Sequence, residues 1–371
     1  MRKAGVGRGR ARDGAGRREV GGHHPMRVAS TVLMPAIATL LIALQSLVPA
    51  ESGEVHLSHV RQLTHGGQNA EAYFSASGRL LIFQRQGPAE QCDQMYVIGA
   101  DGTAPRRVSS GRGRTTCGYF YDRDRRMLYS STEHASAACP PRPDYSQGYV
   151  WGLYDYDIYS ANTDGSDARR LTTHPGYDAE ATVSPDGRTI VFTSLRAGDL
   201  DIYTMSVDGG PVRRLTTTLG YDGGPFFSPD GSRIVYRAYH PASARDSTEY
   251  RSLLSRGLVR PSRMDLWVMN ADGSSQRQVT RLPGASFAPF FHPDGRRIVF
   301  ASNHRDPESR DFDLYLVDLD GGGLERVTTS PEFDAFPMFS PDGTRLVWAS
   351  NRYGTAPRET NIFIADWVER P

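Results

Sequence analysis

Lysine is all but missing from this chain: Lys3 is the only one among 371 residues. A lysine Schiff base and a phosphate-binding Walker lysine are therefore excluded from the folded part. Cysteine is nearly as scarce. Cys92, Cys117 and Cys139 are the only three, and no two form a C-x-x-C pair, which argues against a structural zinc site. Catalytic motifs are absent as well: there is no G-x-S-x-G elbow, no H-E-x-x-H and no dinucleotide fingerprint. Residues 1–50 take eight of the 43 basic residues but only Asp13 and Glu19 of the 42 acidic ones. The remainder is mildly acidic and has no electrostatic footprint for nucleic acid.

The chain has a single long apolar run, "STVLMPAIATLLIALQSLVPA", which follows Arg27 and ends at Val48-Pro49-Ala50. A positive start, an apolar middle and small residues at the −3 and −1 positions describe an export signal cleaved after Ala50, with Met26 as the expected start. Once the signal is cleaved, no membrane span is expected. A periplasmic or secreted location follows, and there one disulfide among the three cysteines, with one thiol left over, is the simple expectation. Which two of Cys92, Cys117 and Cys139 pair is open.

What the sequence has in abundance is one turn. Ser-Pro-Asp-Gly occurs at Ser184, Ser228 and Ser340, and His-Pro-Asp-Gly at His292. Proline presets the second position of a type I turn and glycine accepts the left-handed end, which suits an antiparallel hairpin. Weaker copies centre on Gly78 and on "YDRDRR", where Arg125 takes the glycine place. Each copy is followed by a strand such as "DIYSA" from Asp157, "DIYTM" from Asp201, "DLWVM" from Asp265 or "DLYLV" from Asp313. An Asp-Gly turn and an outer strand such as "RRLT" come next. The aspartate reads as structural and the arginines as solvated. Reference positions Gly78, Arg125, Gly187, Gly231, Gly295 and Gly343 are spaced 47, 62, 44, 64 and 48 residues apart. Four strands at this period indicate an all-β, six-bladed β-propeller over residues 57–368. The last copy lacks its outer strand, and "RQLT" at Arg61–Thr64 supplies it, so the N-terminal strand closes the last blade.

The combination of Ser-Pro-Asp-Gly, Asp-Ile-Tyr, Asp-Gly and Arg-Arg-Leu-Thr resembles the TolB-type propeller repeat. The resemblance implies an exported platform that binds an envelope or secreted protein, without the α/β domain that precedes the propeller in TolB. Similar propellers gate prolyl-oligopeptidase-like enzymes, whose hydrolase domain has no room here.

The two long spacings place insertions at about 134–155 and 239–264, both on the face opposite the Ser-Pro-Asp-Gly turns. The second is expected to carry a short helix from about Ser247 to Arg256, with Tyr250, Leu253 and Leu254 on one side. Long loops on one face of a rigid scaffold carry function, and Tyr145, Tyr149, Trp151 and Tyr154 suit recognition. Nine residues before each reference position lie Asn69, Thr116, Asp178, Asp222, Ser286 and Asp334. Seven before lie Glu71, Gly118, Glu180, Gly224, Ala288 and Phe336. These are expected to ring the channel mouth on the decorated face. Asp178, Asp222 and Asp334 form a candidate calcium site, and the ring equally suits a basic peptide or a sugar. The expected protein is a monomeric, cofactor-free binding scaffold. The alternative is a carbohydrate-active or hydrolytic enzyme using Glu71 and Glu180 as acid and base.

Overall fold

The computed structural model describes residues 47–146 and 148–369. The expected export leader lies outside the described residues except for its last four. Of these, Leu47 bridges to Arg61, and the Val48 amide donates to the Val60 carbonyl at 2.9 Å. Among the described residues no helix is long and apolar enough to cross a membrane.

Six four-stranded antiparallel sheets form the blades of a propeller. Their inner strands are Gln68–Phe74, Thr115–Tyr121, Asp178–Val183, Tyr221–Phe227, Ser286–Phe291 and Asp334–Phe339. Blades one to five end in two-residue outer strands. Blade six takes its fourth strand from Leu57–Gln62, paired with Asn361–Trp367 so that Arg61 faces Ile364 and Gln62 faces Phe363. The expected closure is present. Apolar second strands such as Thr189–Ser194 and Arg345–Ser350 are buried between neighbouring blades.

The recurring turn satisfies its own polar groups. At Ser184–Gly187 the Gly187 amide donates to the Ser184 carbonyl at 2.8 Å, with glycine φ at 74°. The Ser184 hydroxyl donates to Asp186 at 2.5 Å and accepts from the Thr189 amide at 3.0 Å. Asp186 also accepts from the Arg188 amide at 3.1 Å. The turn therefore leaves few unmet donors wherever it is placed, which suits reuse in successive blades. In blade two the glycine place belongs to Asp124, with φ at 67°, and not to Arg125. Asp124 tolerates that conformation and caps the Ala76 and Ser77 amides of blade one at 2.6 and 3.1 Å.

Each blade joins the next through the same backbone bond. The first inner-strand residue, or the one after it, donates to the carbonyl just before the third strand of the preceding blade. Asn69 bonds Thr360, Thr115 bonds Asp93, Asp178 bonds Tyr156, Asp222 bonds Leu200, Ser286 bonds Met264 and Asp334 bonds Phe312, all at 2.7–2.9 Å. Outer strands are pinned from within: hydroxyls of Thr172, Thr216, Thr280 and Thr328 accept the amides of Ile158, Ile202, Leu266 and Leu314. The outer arginines are not simply solvated. Arg214 and Arg326 pair with Asp201 and Asp313 at 2.6 Å, and Arg170 pairs with Asp157. Arg106 and Arg213 reach carbonyls of the following blade, Thr163 and Asp272.

The insertion helix spans Ala244–Leu254 and starts three residues earlier than expected, because Ser243 is its cap and accepts from the Asp246 amide at 3.1 Å. Tyr250 and Leu253 are buried, and Leu254 packs against the cluster that holds Tyr250. Cys92 and Cys139 form the disulfide, with Cα atoms 5.9 Å apart, and Cys117 is free. The bond ties the first insertion to blade one across 47 residues. Cys139→Ser is expected to cost about 2–4 kcal/mol, since a loop of this length loses its closure. Denaturant titration checks this, and an unchanged midpoint excludes a stabilising bridge.

Candidate functional site

All six inner strands shift register at the same place, for example between Ala70 and Tyr73 and between Ala179 and Thr182. At each shift one residue is left-handed: Glu71, Cys117, Glu180, Gly224, Ala288 and Phe336, with φ between 50° and 59°. Five of the six are not glycine, so the bulges store roughly 1–3 kcal/mol each. A bulge re-aims its side chain, and these six line one axial chamber. Blade two corrects the sequence count by one residue. With Asp124 as the reference, Cys117 replaces Gly118 in the inner ring and Thr115 replaces Thr116 in the outer one.

The chamber concentrates charge. Arg237, buried on the second strand of blade four, pairs with Glu180 and donates to the Tyr221 hydroxyl at 2.7 Å. Glu180 further accepts from Thr193 Oγ1 at 2.7 Å and from the Gly224 amide at 2.9 Å. A Cβ at Gly224 would stand 2.1 Å from the Arg237 guanidinium, so glycine makes room for it. Glu71 is pushed up to about 7, by burial first and then by the Glu180 charge. Burial and both glutamates hold the Cys117 thiol well above its usual range. One guanidinium thus serves two carboxylates. The sequence does hold a signal for Arg237: its counterparts in the other blades are Gln84, Ser130, Thr193, Ala301 and Ala349. No other blade has a cation there.

The decorated mouth is roofed. Trp151 of the first insertion lies against Tyr221 and under the Arg237 guanidinium, 5.1 Å from its ring centre. Trp151–Gly152 pairs with Leu258–Val259 of the second insertion. Tyr149 reaches the Arg310 guanidinium of blade five. On the other side an aromatic floor of Tyr73, Tyr119, Phe226 and Phe290 crosses the axis, with centroids 5.4–6.4 Å apart. The space between is about 20 Å³, room for about one water. Beyond the floor, on the hairpin-turn face, a funnel of about 780 Å³ opens. Its walls include Tyr121, Phe291, Phe339 and the turn prolines Pro185, Pro229, Pro293 and Pro341, with Arg123 and Arg125 at its edge. The large concavity is therefore on the opposite face from the expected mouth.

The expected ring residues separate accordingly. Glu71 and Glu180 face the chamber. Asn69, Asp178, Asp222, Ser286 and Asp334 are at most 1 % exposed and lie at the blade joints. The Thr116 hydroxyl bonds Gln84. Asp178 pairs with Arg196 at 2.8 Å, Asp222 with His240 at 2.9 Å and Asp334 with Arg352 at 2.7 Å. The three aspartates do not converge, and among the described residues no three His, Cys, Asp or Glu side chains group as metal ligands. Of the insertion aromatics, Tyr145 and Tyr149 stack on each other and stay exposed, whereas Trp151 and Tyr154 are half-buried.

A closed ring of six four-stranded blades joined by these hairpins defines a six-bladed β-propeller. Residues 259–363 match the TolB β-propeller domain, and residues 139–264 match the N-terminal β-propeller domain of Tricorn protease. No curated protein matches. Among solved structures the chain is similar to a putative TolB from Agrobacterium tumefaciens, at 21 % identity and TM-score 0.52 over 82 % of this chain and 91 % of that one. It is similar to TolB from Acinetobacter baumannii at 18 % identity and TM-score 0.53, over 82 % of this chain and 64 % of that one. A gluconolactonase from Xanthomonas campestris shares the fold at 13 % identity and TM-score 0.56, over 87 % of this chain and 95 % of that one. At these identities the likeness speaks to the fold.

Proposed function

We propose that this protein is an exported, non-catalytic scaffold that takes a segment of a partner protein into the funnel on its hairpin-turn face. The observation that carries the reading is the funnel itself: about 780 Å³, axial, open, and lined by aromatic and proline side chains. Aromatic walls offer contact area at low entropy cost, and a rigid rim needs little ordering on binding. Export rests on the leader, and the TolB-type fold fits an envelope role. Glu71 and Glu180 could act as acid and base only on a molecule admitted to a chamber with room for about one water. Binding is therefore preferred over catalysis.

The reading needs no metal. Thermal unfolding in millimolar calcium is expected to match that in chelator, and a clear rise in Tm returns the aspartates to consideration. The binding test uses the mature chain on a support with envelope extract. Arg123→Glu with Arg125→Glu, on exposed turn positions, is expected to lower Tm only slightly through loss of the exposed Arg125–Asp122 pair, and to lower partner capture about tenfold or more by reversing the rim charge. Tyr145→Ala with Tyr149→Ala, on the other face, is expected to leave capture intact. The reverse pattern overturns the assignment of the face. Purified protein from the native host is expected to begin at Glu51.

A further inference from the structure

Four blades begin their third strand with an aspartate: Asp157, Asp201, Asp265 and Asp313. In three of them the outer strand delivers an arginine to it, at a fixed register. Arg170 sits opposite Tyr159, Arg214 opposite Tyr203 and Arg326 opposite Tyr315, and each pairs with its aspartate. In blade four that register, opposite Trp267, holds Gln278. Its amide donates to Asp265 Oδ2 at 2.9 Å but brings no charge. The third strands of blades one and six start with Gln94 and Asn361, which leave no carboxylate to neutralise. Blade four alone keeps the acid and omits the guanidinium.

A pocket of about 310 Å³ lies at this place, bounded by Asp265, Gln278, Trp267, His240, Tyr239 and Arg263 among others. Asp265 is half-buried there, whereas Asp157, Asp201 and Asp313 are buried. His240 is held by buried Asp222 at 2.9 Å and meets the Trp267 ring at 4.9 Å, fixing one wall. Arg263 does not fill the gap. Its guanidinium lies over the Tyr239 ring at 5.2 Å and donates to the Tyr239 hydroxyl at 3.1 Å. Burial raises the Asp265 carboxyl above its ordinary range despite bonds from Thr280 and Leu282, and Arg281 lowers it least. The carboxylate is thus left short of a cation beside an indole face, and that pair suits a planar, weakly hydrated cation better than an ammonium.

We propose that this pocket binds a guanidinium group, which supplies to Asp265 and Trp267 the cation that three sister blades carry in their own outer strands. The group can belong to a free small molecule or to an arginine side chain of a partner; the site chemistry is the same. It is distinct from the funnel, which opens on the other face.

Calorimetric titration of the mature chain with agmatine, and with acetyl-Gly-Arg-Gly-amide, tests this. Saturable binding of at least one is expected, weakened about tenfold or more in Asp265→Asn. Gln278→Arg rebuilds the sister-blade pair from within. It is expected to abolish binding while holding Tm at or above that of the wild type, and it carries the test if Asp265→Asn fails to fold. Comparable affinity for both probes assigns a free small molecule, and binding of the peptide alone assigns a partner's side chain. No saturable binding of either probe up to about ten millimolar, or undiminished binding in either folded variant, overturns the proposal.

Discussion

Arg352→Met is expected to lose about 3–5 kcal/mol of stability, because it leaves two buried carboxylates without their cation. Arg352 is 2 % exposed and its partners Glu54 and Asp334 are fully buried. Its guanidinium donates to Glu54 at 2.8 and 3.2 Å and to Asp334 at 2.7 Å, and lies 5.5 Å from the Trp348 ring centre. Even with this cation, burial holds Asp334 up at about 6. Glu54 precedes the closing strand and Arg352 belongs to blade six, so the triad joins the two ends of the ring. Glu54 also accepts the Thr329 amide at 3.1 Å, and His56 stacks on Trp367 at 4.6 Å. Deleting residues 51–65 is expected to be worse, since it also exposes the edge of Asn361–Trp367. Chemical denaturation measures the point variant. The neutral triple replacement Glu54→Gln, Asp334→Asn, Arg352→Met is expected to recover much of the loss, because neutral groups in the same volume carry no uncompensated charge. A loss below about 1 kcal/mol for Arg352→Met alone is the size of an ordinary substitution and defeats the closure argument.

Glu71→Gln is expected to stabilise the protein at pH 8 and to leave it unchanged near pH 4. The folded pKa of Glu71, about 7, stands above its ordinary 4.5. Between those values the folded state holds a proton that the unfolded state has released. The contribution of Glu71 to folding is therefore intact below about 4.5, declines as pH rises through 7, and is level above. The span corresponds to at most about 3–4 kcal/mol, taking 1.36 per pH unit. Glutamine has no proton to lose and ends the repulsion with Glu180. Asp201 and Asp334, both raised to about 6, titrate in both proteins, so the difference between them isolates Glu71. Paired melts across pH 4–8 decide the matter. A variant equal to the wild type at pH 8 places Glu71 in solvent and not in a closed chamber.

The architecture was legible because its signal is repeated and local. Ser-Pro-Asp-Gly folds by bonds among its own atoms, so each copy announces a hairpin without help from the rest of the chain. Gly187 needs no neighbour to be left-handed. In blade two the glycine place falls on Asp124 and not on Arg125, because the Asp124 side chain caps the Ala76 and Ser77 amides of blade one, and the ring residue is therefore Cys117 and not Gly118. Glu71 and Glu180 stand at a fixed distance before the turn and are legible in the sequence. Arg237 carries a weaker signal, a cation at a register that is otherwise uncharged, and only the fold brings that second-strand position to the chamber.

The sequence by itself determined six sheets, their order, and the closing of the last by the first strand, since periodicity and turn chemistry are one-dimensional. Tertiary structure alone decided which mouth is open. Trp151, Tyr149 and the Trp151–Gly152 pairing with Leu258–Val259 reach across blades far apart in the chain. No spacing rule records that two insertions meet over an axis, and their meeting turns the anticipated mouth into a roof and leaves the hairpin-turn face as the accessible concavity.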